Sequence, residues 1–308
     1  MADRSMLVEA AALAAAEQEY PAPALYMVAT PIGNLADVTL RALYVLSIVD
    51  AIACEDTRHS AGMLRHFGIA RPLLAAHEHN EREAAAAILD RLSRGERIAC
   101  VSDAGTPAVS DPGAAIAAAV AKAGYRVVPV PGASSALAAL CIAGDAHARA
   151  FTFVGFLPPR GNERARALAG AIRSPGTQIF FEAPHRIASL SADLAQQVPS
   201  RTVTICRELT KQFETAATMP GSALPAWLAA DANRTRGEFV VVLHGSIEEA
   251  TTDRVDEHDG LLAPLVAALP LKQAVALATE ISGAPRNVLY ARALALKGEG
   301  SSRDDPSP

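Results

Sequence analysis

The sequence predicts an α/β protein of two lobes followed by a small helical unit. Three observations predict it. From Ala24 onward, short β-branched runs alternate with Ala/Leu-rich amphipathic segments. Each run is followed by a loop rich in Gly, Pro, Asp or Thr. After Gly245 an acidic, polar stretch leads into an Ala/Leu-rich end. Alternation of this kind is the pattern expected of parallel sheets with crossover helices. A chain of 308 residues also exceeds what one hydrophobic core usually organises.

In the first lobe, residues 24–147, strands are expected at Leu25 to Thr30, Ala51 to Cys54, Leu73 to Ala75, Ile98 to Ser102 and Arg126 to Val130. Helices are expected at Thr39 to Ser47, Arg58 to His66, Glu81 to Ser93, Gly113 to Ala123 and Ser134 to Ala143, several opened by Thr, Ser or a Pro-Gly turn. The second lobe, 148–246, shows strand-like Phe151 to Val154, Gln178 to Phe181, Thr202 to Cys206 and Glu238 to His244. A linker is expected at 247–259 and a helix-turn-helix-like unit at 260–298. Residues 1–23, Ala-rich with scattered acids, are expected to be a disordered tail or marginal helix, and 299–308 a disordered tail. Glu9 inside the apolar part of the opening segment argues against a secretory signal.

Composition narrows the function. Half the residues are hydrophobic and 20% are charged, a globular balance. No apolar stretch reaches the roughly 20 residues a bilayer requires, so no membrane partner is expected. The four cysteines, Cys54, Cys100, Cys141 and Cys206, are widely spaced and read as reduced thiols in a cytoplasmic protein. A net charge of -5 leaves nucleic-acid binding to local basic patches. His77 and His79 alternate on one extended segment, but a third ligand is missing, so no metal is expected.

Three strand-to-helix loops carry the chemistry. Ser102 to Gly113 supplies an acid, small residues that permit close backbone approach, and a Pro-Gly helix start. Val130 to Ala136 places two hydroxyls, Ser134 and Ser135, at a helix start, where they either cap the helix or meet a ligand. Ala29 to Leu35 contains a single glycine and does not match the dinucleotide fingerprint, which disfavours nicotinamide and flavin cofactors; no Walker A sequence is present. Tight turns with capped helices would use many of the same residues.

These loops, together with Cys54 to His59, Phe153 to Pro158, Glu182 to Arg186, Cys206 to Lys211 and Arg236 to Phe239, resemble the ribosomal RNA small subunit methyltransferase I family. The resemblance runs in order from about Ala24 to Lys297. It implies the tetrapyrrole-methylase fold, with S-adenosyl-L-methionine folded into the cleft between two α/β domains. It further implies methylation of the 2'-hydroxyl of a cytidine in the decoding region of 16S rRNA, with naked rRNA or the small ribosomal subunit as partner, and a homodimer. By position, the implied cofactor contacts are Pro31, Gly33, Asp103, Ala104, Gly105, Thr106, Pro107, Gly132, Ser134, Ser135, Phe156, Leu157, Gly237 and Glu238.

A ribose hydroxyl is a poor nucleophile, so a base or a cation near it would help. The candidates are Lys211, either neutral as a base or cationic, with Glu208 orienting it, then Asp56 and Arg58, and Glu182. An exposed ion pair would explain Lys211 and Glu208 equally well. For RNA, the segment from Pro158 to Arg173 holds four arginines against one glutamate, among them Arg160, Arg164 and Arg166. Arg186 in the loop after the next strand, and Lys272, Arg286 and Arg292 in the terminal helices, are further candidate contacts. A solvated helix face and a plain helical hairpin are the alternatives for these two segments. Two rival functions remain at this stage: a methylase of a tetrapyrrole or other small molecule on the same fold, and a non-enzymatic nucleic-acid-binding regulator.

Overall fold

The structure is a computed structural model that describes residues 5–77, 79–146, 150–246 and 258–301. In the first lobe five strands, β1 (Ala24–Val28), β2 (Ala51–Cys54), β3 (Leu73–Ala75), β4 (Arg97–Val101) and β5 (Arg126–Val130), form a sheet in the order β3-β2-β4-β1-β5. Every pairing is parallel. Parallel sheets are covered on both faces, which is why β2 and most of β1 and β4 are continuous apolar runs. Val28 at the end of β1 stands level with Val101 on one side and Val130 on the other. That register sets the three chemistry-bearing loops side by side at the carboxyl edge, where open α/β sheets bind ligands.

Helices α2 (Leu40–Ile48) and α3 (Thr57–His66) cover one face, while α4 (Glu81–Ser93) and α5 (Ala114–Lys122) cover the other. The expected disordered opening is corrected. Ser5–Ala15 forms helix α1, which packs on α2 with Ala11 and Ala15 buried, and Tyr20 stacks edge-on against Tyr44 at 5.0 Å. An Ala-rich helix has little amphipathic signature of its own, so tertiary packing stabilises what propensity leaves marginal.

The second lobe has strands β6 (Phe151–Phe156), β7 (Thr177–Glu182), β8 (Thr202–Arg207), β9 (Thr215–Pro220) and β10 (Phe239–Leu243), ordered β6-β7-β10-β8-β9. Only β6 and β7 run parallel; β10 is antiparallel to both its neighbours and β9 antiparallel to β8. The all-parallel expectation therefore fails here. β9 is invisible in the sequence because it is a short, half-exposed edge strand of Thr, Ala and Met ending in proline, which edges tolerate.

Helices α7 (Gly161–Arg173), α8 (Ile187–Gln197) and α9 (Leu224–Ala229) pack one face of this sheet. The other face receives α6 (Ser135–Ala143), the last helix of the first lobe. Ala136, Ala139 and Ala143 meet Ile179, Val240 and Val242 in one core that also takes in Ile32 and Leu209. An apolar interface of this kind fixes the lobes against each other rather than leaving a free hinge.

The chain ends in α10 (Asp259–Ala268), α11 (Leu271–Ser282) and α12 (Arg286–Ser301), which share a core of Leu262, Val275, Ala278, Leu289 and Ala293. Gly283 ends α11 in the left-handed conformation, the turn of the expected helix-turn-helix. Residues 299–301, expected in a disordered tail, continue α12. The rest of that tail (302–308), residues 1–4, most of the linker (247–257) and the lobe boundary at 147/148 lie outside the described residues. Among the described residues no helix is long and apolar enough to cross a membrane.

Candidate active site

The three loops after β4, β1 and β5 are laced together by backbone. Thr30 and Gly105 exchange N–H···O bonds of 2.9 and 3.1 Å, the Thr30 hydroxyl donates to Ser102 O at 3.1 Å, and the Thr106 hydroxyl donates to Ala133 O at 3.0 Å. Above them, between the lobes, opens a cavity of about 340 Å³. The first lobe lines it with Ile32, Ala104, Gly105, Thr106, Val109 to Asp111, Ser134 and Ser135, and the second with Phe156, Phe181 to Pro184, Leu209 and Glu238 to Val240. Ser134 occupies the N-cap position of α6 yet makes no capping bond with its side chain. Its hydroxyl is thus not spent on capping the helix.

A second recess adjoins the cavity, sharing Ile32, Ala104 and Glu238, and adds Pro31, Gly33, Asp103 and Lys211. Lys211 Nζ donates to Glu208 Oε1 at 2.9 Å and Glu238 Oε2 at 3.0 Å, and Glu208 Oε1 also accepts from the Glu238 N–H at 2.9 Å. Burial alone would lower the lysine pKa, but its two carboxylate bonds outweigh that and hold it above the ordinary value. Burial likewise pushes the Glu208 carboxyl up, and its bonds from Glu238 N–H and Lys211 bring it below the usual range. Lys211 is an ammonium, and the neutral-base reading is corrected.

Gly33 and Gly237 make this cluster possible. A Cβ on Gly33 would lie 2.6 Å from Lys211 Cγ, and one on Gly237 would lie 2.6 Å from the Glu208 carboxyl. Gly237 also has φ +90°. Gly237→Ala is therefore expected to cost roughly 1–3 kcal/mol by chemical denaturation, with Glu208 displaced from Lys211. An unchanged denaturation midpoint would mean that the turn relaxes freely.

A family model described as tetrapyrrole (corrin/porphyrin) methylases matches residues 24–225, and one described as the RsmI C-terminal HTH domain matches 252–297. Two curated relatives, each named ribosomal RNA small subunit methyltransferase I, come from Neisseria meningitidis serogroup A and Pseudomonas aeruginosa. Both are 46% identical over 89% of this chain, covering 94% and 98% of their own lengths. The chain belongs to the ribosomal RNA small subunit methyltransferase I family. Solved structures agree on the fold. A uroporphyrin-III C-methyltransferase from Thermus thermophilus, complexed with S-adenosyl homocysteine, superposes with TM-score 0.51 at 17% identity, covering 71% of this chain and 96% of that one. A diphthine synthase superposes with TM-score 0.56 at 16% identity, covering 75% and 94%.

In this methyltransferase family member several expected site residues prove structural. Glu182 lines the cavity, but its fully buried carboxylate is clamped by Arg164 Nη1 at 3.2 Å, Arg186 Nε at 3.0 Å and the Ala183 N–H at 3.0 Å. It is no free base. Arg186 also donates to Leu157 O at 2.7 Å and Pro158 O at 3.0 Å, so its guanidinium and Arg164 Nη1 are engaged within the protein itself. Arg292 clasps Asp259 and ties α12 to α10, which corrects its expected phosphate role.

Asp56 is the N-cap of α3, accepting from Arg58 N–H at 2.7 Å and His59 N–H at 3.4 Å. Those bonds hold its carboxyl below the ordinary value, and it lines neither the cavity nor the recess. Arg58 stands 94% exposed on a shallow neighbouring depression. Pro107, Gly132, Leu157 and Gly237 line neither space; Pro107 and Leu157 are buried, Gly237 half-buried and Gly132 exposed. Arg160, Arg166, Lys272 and Arg286 are exposed. Cys54, Cys100 and Cys206 are buried and Cys141 is exposed, all as free thiols. Among the described residues no three His, Cys, Asp or Glu side chains gather.

Sequence reasoning missed Asp111. It lines the cavity, and burial, reinforced by the charges of Glu55 and Asp103, pushes its carboxyl up to about 6. Two non-glycine residues just before it, Ala108 and Ser110, hold φ of 67° and 62°. Such left-handed strain clusters at functional sites. In the sequence Asp111 is indistinguishable from the turn residue of an Asp-Pro-Gly helix start.

Proposed function

We propose that this protein transfers the methyl group of S-adenosylmethionine to the ribose 2'-hydroxyl of a cytidine in the decoding region of 16S rRNA, carried by the small ribosomal subunit. The observation that carries this reading is the interlobe cavity, whose size falls in the range of small-molecule sites. Its fit to the methyl donor rests on the uncommitted Ser134 hydroxyl, the α6 start beside it, and the apolar walls of Ile32, Phe156, Leu209 and Val240. S-adenosylmethionine, when bound, supplies an already activated methyl group, so no metal is called for.

The chain's own residues then do three things. The apolar walls and the shared interlobe core exclude water from the reacting groups. Asp111 accepts the hydroxyl proton on its cavity-lining carboxylate. Lys211, held between Glu208 and Glu238, fixes the loop after β8 against the Gly33 loop of the other lobe and so keeps the recess in shape.

The test is incubation of the purified protein with methyl-labelled S-adenosylmethionine and small subunits, free 16S rRNA or large subunits, followed by nucleoside analysis. Label is expected in 2'-O-methylcytidine from small-subunit RNA. No incorporation, or label on a base, overturns the proposal.

A further inference from the structure

A separate concavity of about 400 Å³ opens between the N-terminal half of α7 and the length of α8. Its walls carry Arg160, Arg164, His185 and Arg186, opposed by the carboxylate of Asp193. Arg164 is buried, and its two terminal nitrogens differ. Nη1 is bonded to Glu182, whereas Nη2 has no hydrogen-bond partner and its nearest carboxylate oxygen, Asp193 Oδ2, stands at 3.6 Å. A buried guanidinium N–H left unmet is costly, and in a native structure such a group is usually met by an ordered water or a bound ion.

Other observations point to the same chemistry. Arg160 is exposed and, among the described residues, makes no ion pair. Gly161, the first residue of the thirteen-residue α7, lines the concavity, and the preceding Arg160 gives that helix no side-chain cap. The positive end of the helix therefore meets the same space. Arg160, Arg164 and Arg186 set against Glu182 and Asp193 leave one positive charge in excess, which matches a phosphodiester better than a dianion.

Place matters as much as charge. Ala183 and Pro184 line the interlobe cavity, while His185 and Arg186, next along the same turn, line this concavity. A strand with one ribose in the cavity would carry a neighbouring phosphate over that turn. We propose that the concavity between α7 and α8 is a phosphodiester subsite that holds a backbone phosphate of the RNA flanking the methylated nucleotide. The identity of the phosphate as RNA rests on the function proposed above.

The test uses the full chain with Arg160→Gln and His185→Gln, both at exposed positions, and Arg82→Gln as an equal charge change on the first lobe. Binding of a fluorescein-labelled single-stranded oligoribonucleotide is followed by anisotropy at several salt concentrations, and S-adenosylhomocysteine affinity by calorimetry. Arg160→Gln is expected to weaken oligonucleotide binding about tenfold and to lower the salt slope by about 0.7. Arg82→Gln should do neither, and S-adenosylhomocysteine binding should hold throughout.

Wild-type affinity and slope in the Arg160 and His185 variants, or equal weakening by Arg82→Gln, overturns the subsite. If small subunits are not methylated while oligonucleotide binding still depends on Arg160, the reaction assignment fails and the subsite stands. If they are methylated with unchanged KM in both variants, the subsite alone falls.

Discussion

Glu182→Ala is expected to lower the unfolding free energy by about 3–5 kcal/mol, the cost of removing one partner from a buried ion pair. Glu182 closes β7 with its side chain wholly out of solvent, between Arg164 and Arg186. Without it, the buried Arg164 and the half-buried Arg186 lose their shared carboxylate, and only Asp193, at 3.6 Å from Arg164, remains to offset them. The damage should reach the site, because Arg186 also holds the carbonyls of Leu157 and Pro158, and the Ala183 N–H loses its acceptor. Glu182→Gln keeps an acceptor for that N–H but not the charge, so its loss should be smaller and still large. Urea denaturation with an unchanged m-value reads the difference directly. A loss under about 1 kcal/mol for Glu182→Ala would mean the pair behaves as a solvated one.

This triad also shows where sequence reading stops. The carboxylate at the end of β7 and the arginines after Pro159 are conspicuous as charged residues near a strand end, and on that basis alone they read as a base and as RNA contacts. Which charges face each other is decided by packing α7 and α8 on the same sheet face, and no local pattern records that. Lys211 is a similar case. Its proximity to Glu208 is local and legible, but Glu238, the second carboxylate bonded to it, arrives from a strand entry 27 positions away.

What was legible follows the same physics. β2, β3 and β5 are short, largely apolar runs bounded by turn residues, and their limits match expectation to the residue. The loops after β4, β1 and β5 are legible because ligand approach needs small residues and helix starts need Pro, Gly or Ser. α1 and β9 were not, since one is an Ala-rich run with little amphipathic pattern and the other a half-exposed edge strand, and only neighbours give either a reason to order. The second sheet's antiparallel pairings also leave no mark in strand composition when both faces are covered.

Asp111→Asn is expected to reduce the methyl-transfer rate by roughly 10²–10⁴-fold, the usual worth of a positioned proton acceptor, while S-adenosylhomocysteine affinity stays at wild type. The carboxyl must be ionised to accept a proton, so the wild-type rate should climb with pH up to about 6 and level off above it. Burial sets that value first, Glu55 and Asp103 raise it further, Ser102 opposes them, and Glu182 and Glu238 are the other carboxylates on the cavity wall. Stability carries the opposite sign. A carboxyl whose folded pKa is raised binds its proton more tightly in the folded protein. Its contribution is full below the ordinary value of 3.8 and is lost as pH rises through about 6. Asp111→Asn should thus be more stable than wild type at pH 8, by roughly 1 kcal/mol once partial solvent exposure is allowed for, and no more stable at pH 4. Such a trade of stability for reactivity is characteristic of a functional group and not of a turn residue. Equal rates in the two proteins, or a parallel loss of rate and S-adenosylhomocysteine binding, would remove Asp111 from the chemistry and return it to the helix start.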